Sequence, residues 1–137
     1  MNEKIITIIS AVMGAIYGYI FNEMPHAFNW LLIMIAVDYI TGMIQAFKTK
    51  TWSSKTGFKG LIKKSVILTI VILFHGLSDI VHMPEIDTAV IFAFAINEIC
   101  SILENVERMG LGSIIPKNVR KLLDIVGDTE IDKLNHK

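Results

Sequence analysis

The sequence of 137 residues lacks several features that mark common classes of protein. Its single cysteine, Cys100, excludes an intramolecular disulfide and any zinc site built from several cysteines. Thirteen Lys and Arg balance thirteen Asp and Glu, so no net charge is available to hold nucleic acid. The four histidines are not placed at metal-binding spacings from Cys100. We therefore predict no nucleic-acid binding, no metal and no cofactor.

Catalytic sequence patterns are missing as well. The chain has no nucleophile elbow, no phosphate-binding Walker loop and no dinucleotide fingerprint. We predict that the protein is not an enzyme.

Long apolar blocks dominate the chain instead. Hydrophobic residues make up 53% of it and charged residues 19%, with a mean hydropathy of +0.54. Four blocks of about 17 to 20 residues each approach the length needed to cross a bilayer core of about 30 Å. The sequence predicts an all-α integral membrane protein with four transmembrane helices, over residues 5–21, 28–47, 65–81 and 88–106. The alternative has three spans, with the first block lying in the interface.

Charge between the blocks predicts the orientation. The second loop carries six lysines and no acid, whereas the loops at 22–27 and 82–87 carry Glu23, Glu85 and Asp87 and no Lys or Arg. The positive-inside rule then places the second loop and both termini in the cytoplasm. The lysines of this predicted cytoplasmic basic loop are Lys48, Lys50, Lys55, Lys59, Lys63 and Lys64.

Residues 107–137 form a predicted cytoplasmic tail that follows a transmembrane domain of residues 1–106. Its apolar residues recur as on one face of a helix that begins after Pro116 and ends near Gly127. We expect an amphipathic helix at the membrane surface. The recurring residues are Val119, Leu122, Leu123 and Val126.

Polar residues within the spans are the candidates for lining or gating a pore. Because no Lys or Arg lies deep within a block, the acids are expected to have no cationic partner within the spans apart from a protonated His75. We expect them to be neutral and hydrogen-bonded in a closed state, or hydrated in an assembly. The alternative is that they only join the helices through interhelical hydrogen bonds, each of which stabilises a membrane bundle by about 0.6 kcal/mol. The candidates are Asp38, Thr41, Gly42 and Gln45 in the second block, His75 and Asp79 in the third, and Asn97, Glu98 and Ser101 in the fourth.

Gly14 and Gly18 in the first block are spaced as in helices that pack closely in membranes. We predict a helix-packing face there, with a partner that the spacing does not identify.

Three stretches resemble the phage lysis and toxin-secretion holins of Gram-positive bacteria and their phages. They are DYITGM at 38–43, WSSKTGFKGL at 52–61 and NEICSILEN at 97–105, followed by Gly110 and Pro116. The resemblance covers residues 5 to 125. It implies a non-enzymatic protein of the cytoplasmic membrane that forms homo-oligomers in the lipid bilayer. A lesion opened at a set time would then release an endolysin, or a toxin, as cargo that is not stably bound.

Two other classes of function stay open. In a narrow channel or small transporter, Asp38, His75, Asp79 and Glu98 would form a proton or cation relay. In a non-conducting scaffold, the lysine-rich loop and the tail would bind a cytoplasmic partner. A holin lets an enzyme cross the membrane, whereas a narrow channel passes only ions or small solutes. A scaffold would leave the membrane potential intact when it is expressed.

Overall fold

The computed structural model describes residues 2–21, 24–122 and 124–125. Four long helices account for most of these residues, and no strand occurs among them. The predicted all-α fold is confirmed. The helices are α1 (Glu3–Phe21), α2 (His26–Lys48), α3 (Ser54–Val81) and α4 (Glu85–Val106).

Three segments are long and apolar enough to cross a membrane, namely His26–Lys48, Ser54–Val81 and Glu85–Ile114. Their outward faces are rich in exposed apolar side chains, such as Leu73 at 67% and Ile80 at 76% exposure. An exposed apolar surface of this extent is typical of helices covered by lipid. Helix α1 is not among the three segments, so the fourth predicted span stays a prediction.

Helices α2, α3 and α4 form an antiparallel bundle because short links at 49–53 and 82–84 join them. Helix α4 packs against both of the others. Buried positions recur every three, four or seven residues, the spacing of helices that pack at small crossing angles. They are Phe28, Leu31, Ile35 and Asp38 on α2, Lys64, Ile67, Val71 and Ser78 on α3, and Asp87, Ile91, Glu98 and Asn105 on α4.

Helix α3 begins eleven residues before the predicted third span. The Ser53 side chain accepts a hydrogen bond from Thr56 N at 3.1 Å, which caps the helix start. The prediction of a long basic loop is therefore wrong, because the link comprises residues 49–53 alone. The prediction took the start of the apolar block as the start of the helix. A helix begins and ends at caps or helix-breaking residues, which need not coincide with the limits of an apolar run. Lys55, Lys59, Lys63 and Lys64 all lie on α3, Lys48 ends α2, and Lys50 lies in the link.

Helix α1 joins the bundle at its C-terminal end. The ring of Phe21 lies 4.7 Å from that of Tyr17 and 5.5 Å from that of Phe28 on α2, measured between centroids. No atom lies within 4 Å of a side chain built at Gly14 or Gly18. Their predicted packing face therefore has no partner in the described part of this chain, and packing against another chain stays a prediction.

The chain changes direction after α4. Residues Glu107–Leu111 form a short π-helix that continues α4 and is kinked at Gly110, whose φ of 82° glycine adopts without strain. The Lys48 ammonium donates a hydrogen bond to the Met109 carbonyl and ties the ends of α2 and α4 together. Residues 117–122 and 124–125 are helical. Leu123, Val126 and Gly127 of the predicted tail helix lie outside the described residues.

Candidate functional site

A buried ammonium group connects the three helices of the bundle. Lys64 on α3 donates to Asp38 Oδ2 on α2 at 2.5 Å and also to Glu98 Oε2 on α4. Lys64 is 8% exposed, Asp38 7% and Glu98 2%. Each residue lies on the buried stripe of its helix, so the packing that builds the apolar core also brings the three charges together.

A second set of hydrogen bonds completes this network. The Asn105 amide donates to Asp38 Oδ1 at 3.1 Å and to Thr41 Oγ1 at 3.2 Å. The Thr41 hydroxyl in turn donates to the Asp38 carbonyl at 3.0 Å. No buried side-chain nitrogen or oxygen among the described residues lacks a hydrogen-bond partner. We call Asp38, Lys64, Glu98 and Asn105 the buried network.

The electrostatics of the buried network are asymmetric. Two carboxyl groups face one ammonium group, so neutralising the ammonium would leave two like charges close together. Removing one partner of a buried ion pair typically costs about 3–5 kcal/mol when it leaves an uncompensated charge. Neutralising one carboxyl group would leave the lysine with the other one. Lys64 is therefore the member of the network on which the other two charges depend.

The expectation that the acids lack a cationic partner within the spans is wrong. Lys64 immediately precedes the third apolar block in the sequence, but it is already the eleventh residue of α3. About ten residues, or about 15 Å, separate it from the helix start. The same distance separates Asp38 from the end of α2, so the two residues meet at one level of the antiparallel pair.

The other predicted site residues are dispersed. The Gln45 amide donates to Thr49 Oγ1 at 3.2 Å near the end of α2. A side chain at Gly42 would lie 3.5 Å from the Asn105 amide nitrogen, so this glycine borders the network. Asp79 and Asn97 are exposed on the outside of the bundle. The structure thus brings together Asp38, Thr41, Gly42 and Glu98, but not the whole predicted set.

His75 pairs with a residue that sequence reasoning did not select. Its Nδ1 lies 2.9 Å from Asp87 Oδ2 on α4, and Asp87 is buried. Asp79, the other candidate in the third block, shares the helix of His75 but is exposed. About sixteen ångströms of α3 separate His75 from Lys64. His75 and Asp87 therefore form a second, separate connection between α3 and α4 near their common turn.

A cavity of about 450 Å³ leads to the buried network from the end where α2 and α3 are linked. Gly42, Gly57 and Gly60 leave room for it, and Asp38, Ser101 and Asn105 lie in its wall. A cavity of this size admits a small molecule or several waters, and is far too small for a folded protein.

Comparisons with known proteins match most of the chain. The model of the bacteriophage holin family matches residues 15–128. An uncharacterized protein of Listeria monocytogenes is 40% identical over 112 residues, which cover 80% of this chain and 78% of that protein. A probable holin of Bacillus phage phi105 is 29% identical over 95 residues, covering 69% of this chain and 70% of the phage protein. No solved structure matches the chain.

The long apolar helices define a helical membrane protein. Within this class, the chain belongs to the bacteriophage holin family. The resemblance seen in the sequence is confirmed. The stretches at 38–43 and 97–105 that carried it contain three members of the buried network, Asp38, Glu98 and Asn105.

Proposed function

We propose that this chain is a holin that accumulates in the cytoplasmic membrane, assembles with its own copies and opens a lesion at a set time. An endolysin, or a toxin in a related export system, would leave through the lesion. The observation that carries this proposal is the buried network. It places charged groups, which water would solvate well, inside a bundle whose outer surface is apolar.

One copy offers no path for an enzyme, so the lesion requires many copies. The cavity beside the network holds about 450 Å³, enough for a small ligand. Asn97 supports assembly because its amide is exposed in the middle of α4, where lipid would leave it without hydrogen bonds. A neighbouring copy would satisfy this amide. Opening would then exchange the pairs of the buried network within each copy for contacts with water and with other copies.

The proposed topology has four spans with both termini in the cytoplasm. Helix α1 has 19 residues and is about 28 Å long, close to the thickness of the bilayer core. Residues 107–137 form the cytoplasmic tail, and Lys50, Lys55, Lys59 and Lys63 lie at the cytoplasmic surface. In a Cys100→Ala background, an impermeant thiol reagent added to intact cells should modify Glu85→Cys and spare Lys55→Cys. Labelling of Lys55→Cys would reverse the orientation.

Co-expression with a cytoplasmic endolysin tests the function. The chain alone should stop growth after a delay, and with the endolysin it should lyse the culture at that time. A dye sensitive to membrane potential, read in the same cultures, separates the alternatives. Collapse of the potential with the endolysin trapped inside would indicate a narrow channel. An unchanged potential throughout would indicate a non-conducting scaffold.

A further inference from the structure

Three lysines form an exposed row at the start of α3. Lys55, Lys59 and Lys63 are spaced four residues apart, so they lie along one side of the helix at intervals of about 6 Å. All three are exposed, and none forms an ion pair within the described residues. The next residue, Lys64, differs from these three lysines because it is buried and paired with two carboxyl groups.

The length of α3 places this row at the edge of a bilayer. The helix has 28 residues and is about 42 Å long, about 12 Å more than the hydrocarbon core. Helix α2, its antiparallel neighbour, has 23 residues. The first turns of α3 therefore extend to the level of the lipid headgroups, where lysine side chains meet phosphate groups.

Aromatic side chains mark the same level. The Trp52 ring stacks on that of Phe47 with 4.7 Å between centroids, and it covers Gly57 on the first turn of α3. Phe58, in the same two turns, is 65% exposed. Tryptophan rings concentrate at membrane interfaces because they are apolar in body and polar at one edge. Lys55 and Lys59 thus lie near the level of these aromatic groups. Lys63 lies about 12 Å further along α3 than Lys55, and its long side chain extends back toward the same interface.

We infer that the row of Lys55, Lys59 and Lys63 binds the phosphate groups of anionic phospholipids such as phosphatidylglycerol. The row carries three ammonium groups on flexible side chains along about 12 Å of helix. Because lysine side chains near a helix end extend toward the headgroups, the three can contact several lipid phosphates, whereas one small anion could not contact all three. Each lysine near an anionic surface strengthens binding about fivefold, the factor that about 1 kcal/mol corresponds to. The inference concerns lipid binding by the closed chain and does not depend on lesion formation.

The two tryptophans provide a test within one molecule. Trp30→Phe leaves Trp52 beside the row, and Trp52→Phe leaves Trp30 near the opposite end of α2. Each full-length variant would be placed in phosphatidylcholine nanodiscs containing phospholipid brominated near the headgroup end of its acyl chains. Bromine quenches nearby tryptophan, so quenching measures which lipid lies next to each ring. We expect brominated phosphatidylglycerol to quench Trp52 more strongly than brominated phosphatidylcholine, and Trp30 to show no such preference.

Charge variants and salt complete the test. Lys55→Gln, Lys59→Gln and Lys63→Gln together should weaken the preference at Trp52 by about ten- to a hundredfold. The matched control, Lys4→Gln with Lys117→Gln and Lys121→Gln, removes the same charge elsewhere and should retain the preference. With the three lysines unchanged, raising the salt concentration should weaken the preference at Trp52, because salt screens the attraction between ammonium and phosphate groups.

Three quenching results would overturn the inference. They are equal quenching of Trp52 by both lipids, a preference that survives loss of the row, and an equal preference at Trp30. The inference would also be overturned if inorganic phosphate abolished the preference at Trp52 much more effectively than chloride does at the same ionic strength. The row would then be a site for a free anion and not for a lipid.

Discussion

The bundle of α2, α3 and α4 differs from α1 in how its polar and small residues are used. In the bundle, Lys64, Asp38 and Glu98 join three helices through charges that face inward. On α1, Gly14 and Gly18 have open space around them, and apolar residues such as Ile8 and Met13 are more than half exposed. The bundle buries its polar residues within one copy of the chain, whereas most of the apolar surface of α1 is not in contact with the other described helices.

This difference separates folding from assembly. Because apolar side chains gain little by leaving lipid for another apolar surface, specific packing and hydrogen bonds decide which helices associate. The bundle contains such bonds within one copy. Helix α1 carries a surface suited to close packing, and the described chain does not occupy it. We expect changes in the bundle to affect the stability of each copy and changes on α1 to affect the association of copies.

Lys64→Met should have the largest effect. It leaves Asp38 and Glu98 facing each other without a cation, which should lower the free energy of unfolding in detergent by about 3–5 kcal/mol. Lys63→Met is the matched control, since it removes the same group from the exposed neighbouring position. At equal membrane levels, Lys64→Met should also trigger lysis earlier than Lys63→Met does. Equal stability of the two variants would show that the buried network does not hold the helices together.

Asp38→Asn and Glu98→Gln should have a smaller effect. Each leaves Lys64 with one carboxylate and removes one of two like charges, so the loss should be about 0.5–1.5 kcal/mol. Denaturant unfolding of the two variants beside Lys64→Met would measure this order. A loss as large as that of Lys64→Met would contradict the proposed asymmetry of the network.

Gly14→Leu combined with Gly18→Leu should have the smallest effect on the fold. Because no atom lies near either glycine, the free energy of unfolding of one copy should change by less than about 0.5 kcal/mol. Chemical cross-linking in membranes should nevertheless yield fewer oligomers. Val12→Leu with Ile16→Leu, on another side of α1, serves as the control. Unchanged oligomers in the glycine variant would exclude this face from assembly.

Hydropathy and helical spacing predicted the helices well because both depend on local sequence. The segments at 28–47 and 88–106 each lie within an observed helix. Asp38 and Glu98 were selected because an acid within an apolar run is costly unless something compensates it. The structure supplies that compensation through Lys64, Asn105 and Thr41.

The partner of these acids was missed because the apolar block was treated as the whole helix. Ser78, Val71 and Lys64 lie seven residues apart on the buried stripe of α3. Continuing this spacing beyond the apolar block would have placed Lys64 inside the bundle and Lys63 outside it. The pairing of His75 with Asp87 could not be predicted in this way, because it depends on how α3 and α4 pack beside their turn.

Reaction of lysines with a small acetylating reagent tests the central claim most directly. The full-length protein in nanodiscs would be treated for a short time, digested and analysed by tandem mass spectrometry. We predict rapid modification of Lys63 and strong protection of Lys64, because the Lys64 ammonium is buried between two carboxyl groups. After unfolding, the two residues should react alike. Equal modification of Lys63 and Lys64 in the folded protein would contradict the buried network.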